Sequence, residues 1–144
     1  MHSRTLFALA LIGLALIRTA VAADDPIASL RQIMRDNSNL EDQAIAMQSG
    51  TFQPDKAIAA MQKLQANFTL LPTVVPAGGA TGASSPTVLA ISANLDGFRQ
   101  LAATMVQRAA AAEAAAPNGQ RAFAQAFLTA DNTCTECHKT YDRH

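Results

Sequence analysis

An all-α fold, an antiparallel four-helix bundle, is what the pattern of this 144-residue chain predicts, on three observations. Apolar residues recur at spacings of three and four through four separate segments, which is the period of one helix face. Three of those segments open with proline, at Pro26, Pro54 and Pro86, where the missing N–H costs a first helical turn nothing. No stretch alternates apolar and polar residues as a half-buried strand does.

The chain starts with a leader rather than with the fold. His2 and Arg4 precede the apolar run Leu6 to Ile17, and Ala20-Val21-Ala22 has the A-x-A form of a cleavage site. Residues 1–22 are therefore expected to be a signal peptide, with residues 23–144 as one domain. Arg18 sits late for such a leader and leaves the scissile bond open. An apolar run of about 12 residues is too short to span a bilayer, and no later run is longer, so no stable membrane insertion is expected. The mature product is expected to be a soluble exported domain of about 122 residues, periplasmic in a bacterium. Its leader takes Arg4 and Arg18 with it, so the formal charge moves from zero to about −2. A weakly acidic surface without a Lys/Arg run argues against nucleic acid and anionic membrane as partners.

The first helix opens at Asp25-Pro26, with Asp25 as a good N-cap. Its apolar positions are Ile27, Leu30, Ile33, Met34, Leu40, Ala44, Ile45 and Met47, and it fades at Ser49-Gly50. Pro54-Asp55 opens the second. Ile58, Met61, Leu64 and Phe68 form its stripe, Ala57 lies at one margin, and Gln62, Lys63 and Gln65 turn away. Leu71 to Ser85 carries two prolines and three glycines with no period, and reads as a long crossover loop. Ser85-Pro86 starts the third helix, with Leu89, Leu95, Phe98, Leu101, Ala102 and Met105 as its stripe. It continues through the alanine-rich tract 109–116, whose helix propensity is high, until Pro117-Asn118-Gly119 breaks it.

The fourth helix carries the chemistry. Phe123, Phe127, Ala130, Cys134, Cys137 and Tyr141 fall at spacings of four and three, so both cysteines lie on the core-facing stripe. They are the only cysteines in the chain, and they stand in Cys134-Thr135-Glu136-Cys137-His138. Cys-x-x-Cys-His is the attachment signal for c-type haem: two thiols add to the porphyrin vinyl groups, and the next residue offers an imidazole nitrogen to the iron. Positions i, i+3 and i+4 share one helix face, so the three side chains can grip the same ring. A thioredoxin-like redox pair needs a preceding strand, and none is predicted. A disulfide closing so short a loop would stabilise little. One haem c, covalently held by Cys134 and Cys137 and ligated by His138, is therefore the expected cofactor, carried on the C-terminal helix of the bundle.

The second axial position is less determined. His2 leaves with the leader, and His144 lies too close to His138 to reach round the ring. Met34, Met47, Met61 and Met105 remain, since a thioether is the other usual axial partner in electron-carrying c-type haems. Methionine in an apolar stripe ordinarily serves as adaptable core filler, and periodicity does not choose among the four.

A bundle of this size with Cys-x-x-Cys-His near its end resembles the cytochrome c′ family, the class II c-type cytochromes. The resemblance covers the mature chain, including Ser84-Ser85-Pro86 and Tyr141 three residues after His138. Leu30-Arg31-Gln32-Ile33-Met34-Arg35-Asp36-Asn37 is similar to the first helix of the family's low-spin members, and this implies Met34 as the sixth ligand. Arg31 is then a candidate partner for a haem propionate, weighed against an ordinary solvated charge. Two positions depart from the pattern. Leu89 stands where the family usually has an aromatic residue near the haem, and Asp142 stands where an arginine usually follows the tyrosine. An acidic group near His138 favours the oxidised iron, so a potential does not carry over from relatives.

The function expected from this is a periplasmic carrier of single electrons between redox partner proteins, not an enzyme. No side chain can be assigned a distal catalytic role. The alternative is a five-coordinate protein that binds nitric oxide or carbon monoxide, with Met34 packing rather than coordinating. Many members of the family that this chain resembles form homodimers through their first two helices, and the alanine-rich third helix also admits close packing. The sequence does not choose between a dimer and a monomer.

Overall fold

A computed structural model describes residues 25–75 and 85–142. The expected signal peptide and residues 76–84 of the crossover lie outside the described residues. Five α-helices follow in order: α1 (Pro26–Ser49), α2 (Pro54–Val74), α3 (Pro86–Ala93), α4 (Leu95–Ala115) and α5 (Gln120–Tyr141), with a 3₁₀ turn at Ala116–Asn118. No strand occurs among the described residues.

The long helices close a ring in which α1 packs on α2, α2 on α4, α4 on α5 and α5 on α1. Met61, Leu71, Phe98, Met105, Phe123 and Phe127 fill its centre. Polar contacts fix the helix directions. Gln120, at the start of α5, donates through Nε2 to the carbonyls of Met47 and Gln48 at the end of α1, at 3.0 and 2.7 Å. In the first half of α2, Gln62 and Gln65 donate to the Glu113 carboxylate at the end of α4, at 2.8 and 2.6 Å. Neighbours therefore run antiparallel, as the sequence predicts.

Local chemistry explains the helix ends. Asp25 accepts the Ile27 N–H at 3.0 Å and caps α1. Gly119, at φ 99° and ψ 172°, makes the positive-φ step between the 3₁₀ turn and α5, a glycine-only conformation that costs a residue with a Cβ about 1–3 kcal/mol.

The structure corrects four sequence expectations. First, α2 runs on to Val74 through Pro72, so the crossover does not begin at Leu71. Proline forfeits one helical hydrogen bond there, but Leu71 and Val75 are buried on either side and hold the last turn against the core. Second, the third helix is broken at Asn94 into α3 and α4. The Asn94 side chain accepts the Gly97 N–H at 3.2 Å, while its carbonyl accepts from the Phe98 N–H. Third, Leu89 is 56% exposed, because α3 has its own phase and buries Val88 and Ile91 instead. Leu89 is therefore not a core position. Fourth, Ile45 is 48% exposed, while Asn37 takes a buried place on α1, bonded to Asn67 of α2 at 2.7 Å.

Candidate haem site

The final turns of α5 present Cys137, His138 and Tyr141 toward the first turns of α1, which bring Leu30, Arg31 and Met34, and toward Ile91 of α3. A cavity of about 820 Å³ lies between these three helices. That volume falls in the range of cofactor pockets, about 300–1,000 Å³. Its walls are largely apolar, with Ile27, Leu30, Ile91 and Phe98 among them, and two guanidinium groups, Arg31 and Arg35, stand at its exposed flank.

Four of the five residues singled out from the sequence meet here: Met34, Arg31, Cys137 and His138 all line the cavity. Cys134, one turn back along α5, is partly buried against the core rather than on the lining. Among the methionines the structure discriminates where periodicity does not. Met47, Met61 and Met105 are buried in the core and do not line the cavity, whereas Met34 is half-buried and does.

Cys134 and Cys137 are free thiols. Burial pushes the Cys134 thiol up to about 12, helped by the carboxylates of Glu41 and Asp131 and by Cys137. Burial likewise pushes Cys137 up to about 11, with Glu136 adding to it. Both stay protonated at neutral pH, which suppresses the thiolate chemistry of a redox pair.

Tyr141 anchors the end of α5. Its hydroxyl donates to the Asn94 carbonyl at 3.2 Å, and its ring meets Phe98 edge-on at 5.4 Å. Burial raises its phenol above the ordinary value, with the nearby Cys137 adding to the rise. Further back, Arg108 of α4 donates to the hydroxyl of buried Thr133 at 2.8 Å, which fixes α5 one residue before Cys134. Asp142, the residue that departs from the family pattern, also lines the cavity, close in sequence to His138.

Arg35 was not picked out from the sequence as a site residue. The available signal was its spacing: it follows Arg31 by four, so the two share a helix face. Ile91 and Phe98 were hidden for another reason, since their place on the lining depends on the break at Asn94.

The profile of the family described as Cytochrome C' matches residues 25–142. The chain belongs to the cytochrome c′ family. Up-down-up-down helix bundles include the cytochromes c′ as a standing example, so the topology agrees with membership. Searches of curated proteins and of solved structures returned no match to this chain. Membership implies a covalently bound haem c. The donors present fit that group, with two unpaired cysteines three residues apart, a histidine directly after them, and an apolar cavity of cofactor size beside them.

Proposed function

We propose that this cytochrome c′ family member carries single electrons, with Cys134 and Cys137 as the residues that would hold its haem c and His138 and Met34 as those that would ligate the iron. When bound, the haem supplies a one-electron iron couple. The protein's part is to hold, ligate and shield it. The observation that carries the reading is that Met34, alone among the internal methionines, lines the same cavity as His138. With an imidazole and a thioether both bound, no coordination position would be left for a gas or a peroxide.

The apolar wall of Leu30, Ile91 and Phe98 would keep water from the ring, and an imidazole–thioether pair in such a setting would favour ferrous iron. Arg31 and Arg35 stand at the rim, where they would pair with the propionates by charge-assisted hydrogen bonds. Asp142 acts in the opposite sense, since a negative charge beside the histidine favours ferric iron. Export to the periplasm and exchange with redox partner proteins belong to the same reading. No helix among the described residues is long and apolar enough to cross a membrane.

Absorption spectra of the purified ferric and ferrous protein test the proposal. Low-spin bands in both states, with a weak ferric band toward the red from iron–thioether bonding, are expected. A high-spin ferric spectrum would replace this reading with the five-coordinate, gas-binding one.

A further inference from the structure

One turn beyond Met34 on α1, Asn37 is only 7% exposed, a polar side chain sealed into the bundle. Its carbonyl oxygen Oδ1 accepts from Nδ2 of Asn67 on α2 at 2.7 Å, and that bond fixes which way the amide faces. Its own Nδ2 is buried and has no hydrogen-bond partner among the described residues. An amide nitrogen carries two hydrogens to give, and a buried donor that has lost its water needs an acceptor to offset the loss. Such a group in a folded chain points to a bound group that supplies one.

The seam between α1 and α5 indicates which group that is. Met34 and His138 line one cavity, and further along the seam a carboxylate oxygen of Glu41 and one of Asp131 lie within 4.8 Å of the Cys134 sulfur. The stretch of α5 from Cys134 to His138 therefore runs beside the stretch of α1 from Met34 to Glu41, which contains Asn37 and the cavity-lining Ser38. Seven residues after Leu30, a wall of the cavity, Asn37 comes within about 20° of it round the helix. A haem held by both cysteines has to extend from the cavity toward Cys134, past this amide. We propose that Asn37, oriented by Asn67, is a hydrogen-bond donor on the distal side of the haem, directed at the group in the sixth position. The proposal rests on the haem of the electron-carrier reading but not on Met34 as a ligand, because the donor serves a thioether sulfur and a diatomic molecule alike.

Two signs follow. A hydrogen bond to the thioether sulfur draws electron density from it and weakens its support of ferric iron, so the donor raises the midpoint potential. On carbon monoxide the same donor meets the terminal oxygen and lowers the C–O stretching frequency. The test uses carbon monoxide bound to the ferrous holoprotein of Met34→Ala, read by infrared absorption. Adding Asn37→Leu removes the donor at similar volume, and the stretch should move to higher frequency. Asn37→Leu with Asn67→Leu is the second variant, since replacing both partners of a buried hydrogen bond with apolar groups leaves no stranded amide to unfold the chain. With Met34 intact, the same changes should lower the midpoint potential by spectroelectrochemical titration. A lining made merely less polar would raise it instead, by disfavouring the ferric charge. A C–O frequency and a midpoint potential that both stay put, or move the opposite way, overturn the proposal. Wild type that already binds carbon monoxide would overturn the reading of Met34 as a ligand, while the Asn37 comparison then runs in wild type itself, so the two failures are distinguishable.

Discussion

Four internal methionines with one chemistry are separated by their surroundings. Met61 and Met105 are 0% and 1% exposed, enclosed by α2, α4 and their neighbours, and their thioethers serve as packing. Replacing either with alanine should lower the unfolding free energy by about 2–5 kcal/mol and leave the visible spectrum unchanged, as read by denaturant titration of the holoprotein. Gly119 is constrained by backbone rather than packing: at φ 99° a Cβ has free space around it but a strained conformation beneath it. Gly119→Ala should therefore cost about 1–3 kcal/mol in the same titration, without altering the haem spectrum.

Helices meet at seams, and two of these seams make distinct predictions. Across the α1–α5 seam the Glu41 carboxyl is held at about 7, above its ordinary 4.5, chiefly by burial. A raised folded-state value means that its stabilising contribution is complete below about pH 4.5 and is lost as pH rises through about 7. Stability to urea should accordingly decline over that interval in wild type and decline less in Glu41→Gln. Where α5 meets the α3–α4 break, the Tyr141 hydroxyl holds the Asn94 carbonyl. Tyr141→Phe should lose about 1 kcal/mol while keeping the ring contact with Phe98. These seams also mark where sequence reasoning stops. Apolar period and the prolines were enough to locate the starts of α1, α2 and α3 and the stripe of α5, because each is a local signal. The break at Asn94 was not seen, since a single cap-forming asparagine inside a helical pattern takes effect only when Gly97, Phe98 and Tyr141 converge on it. Leu89 was misplaced for the same reason, because once the helix is broken the phase on one side no longer predicts the other. Pro72 led to the opposite error: a strong local breaker was overridden by burial of Leu71.

At the scale of the whole molecule the cofactor motif was legible because its spacing is dictated by the chemistry of the ring. The carboxyl pair beside Cys134 was not, because Glu41 and Asp131 stand 90 positions apart and meet only when α5 folds back along α1. The cavity of about 820 Å³ reaches from α1 to α5 and adjoins the core, so the haem is expected to complete the packing of that end of the bundle. Protein made without haem attachment should unfold with weak cooperativity by calorimetry, in contrast to a sharp holoprotein transition. The central claim is that Met34 and His138 together close the iron. The most direct measurement is the visible spectrum of Met34→Ala, ferric and ferrous, before and after exposure to carbon monoxide. The account predicts that the variant loses low-spin character and binds carbon monoxide in the ferrous state, while wild type does neither. A Met34→Ala protein that keeps the wild-type low-spin spectrum and excludes carbon monoxide would contradict it.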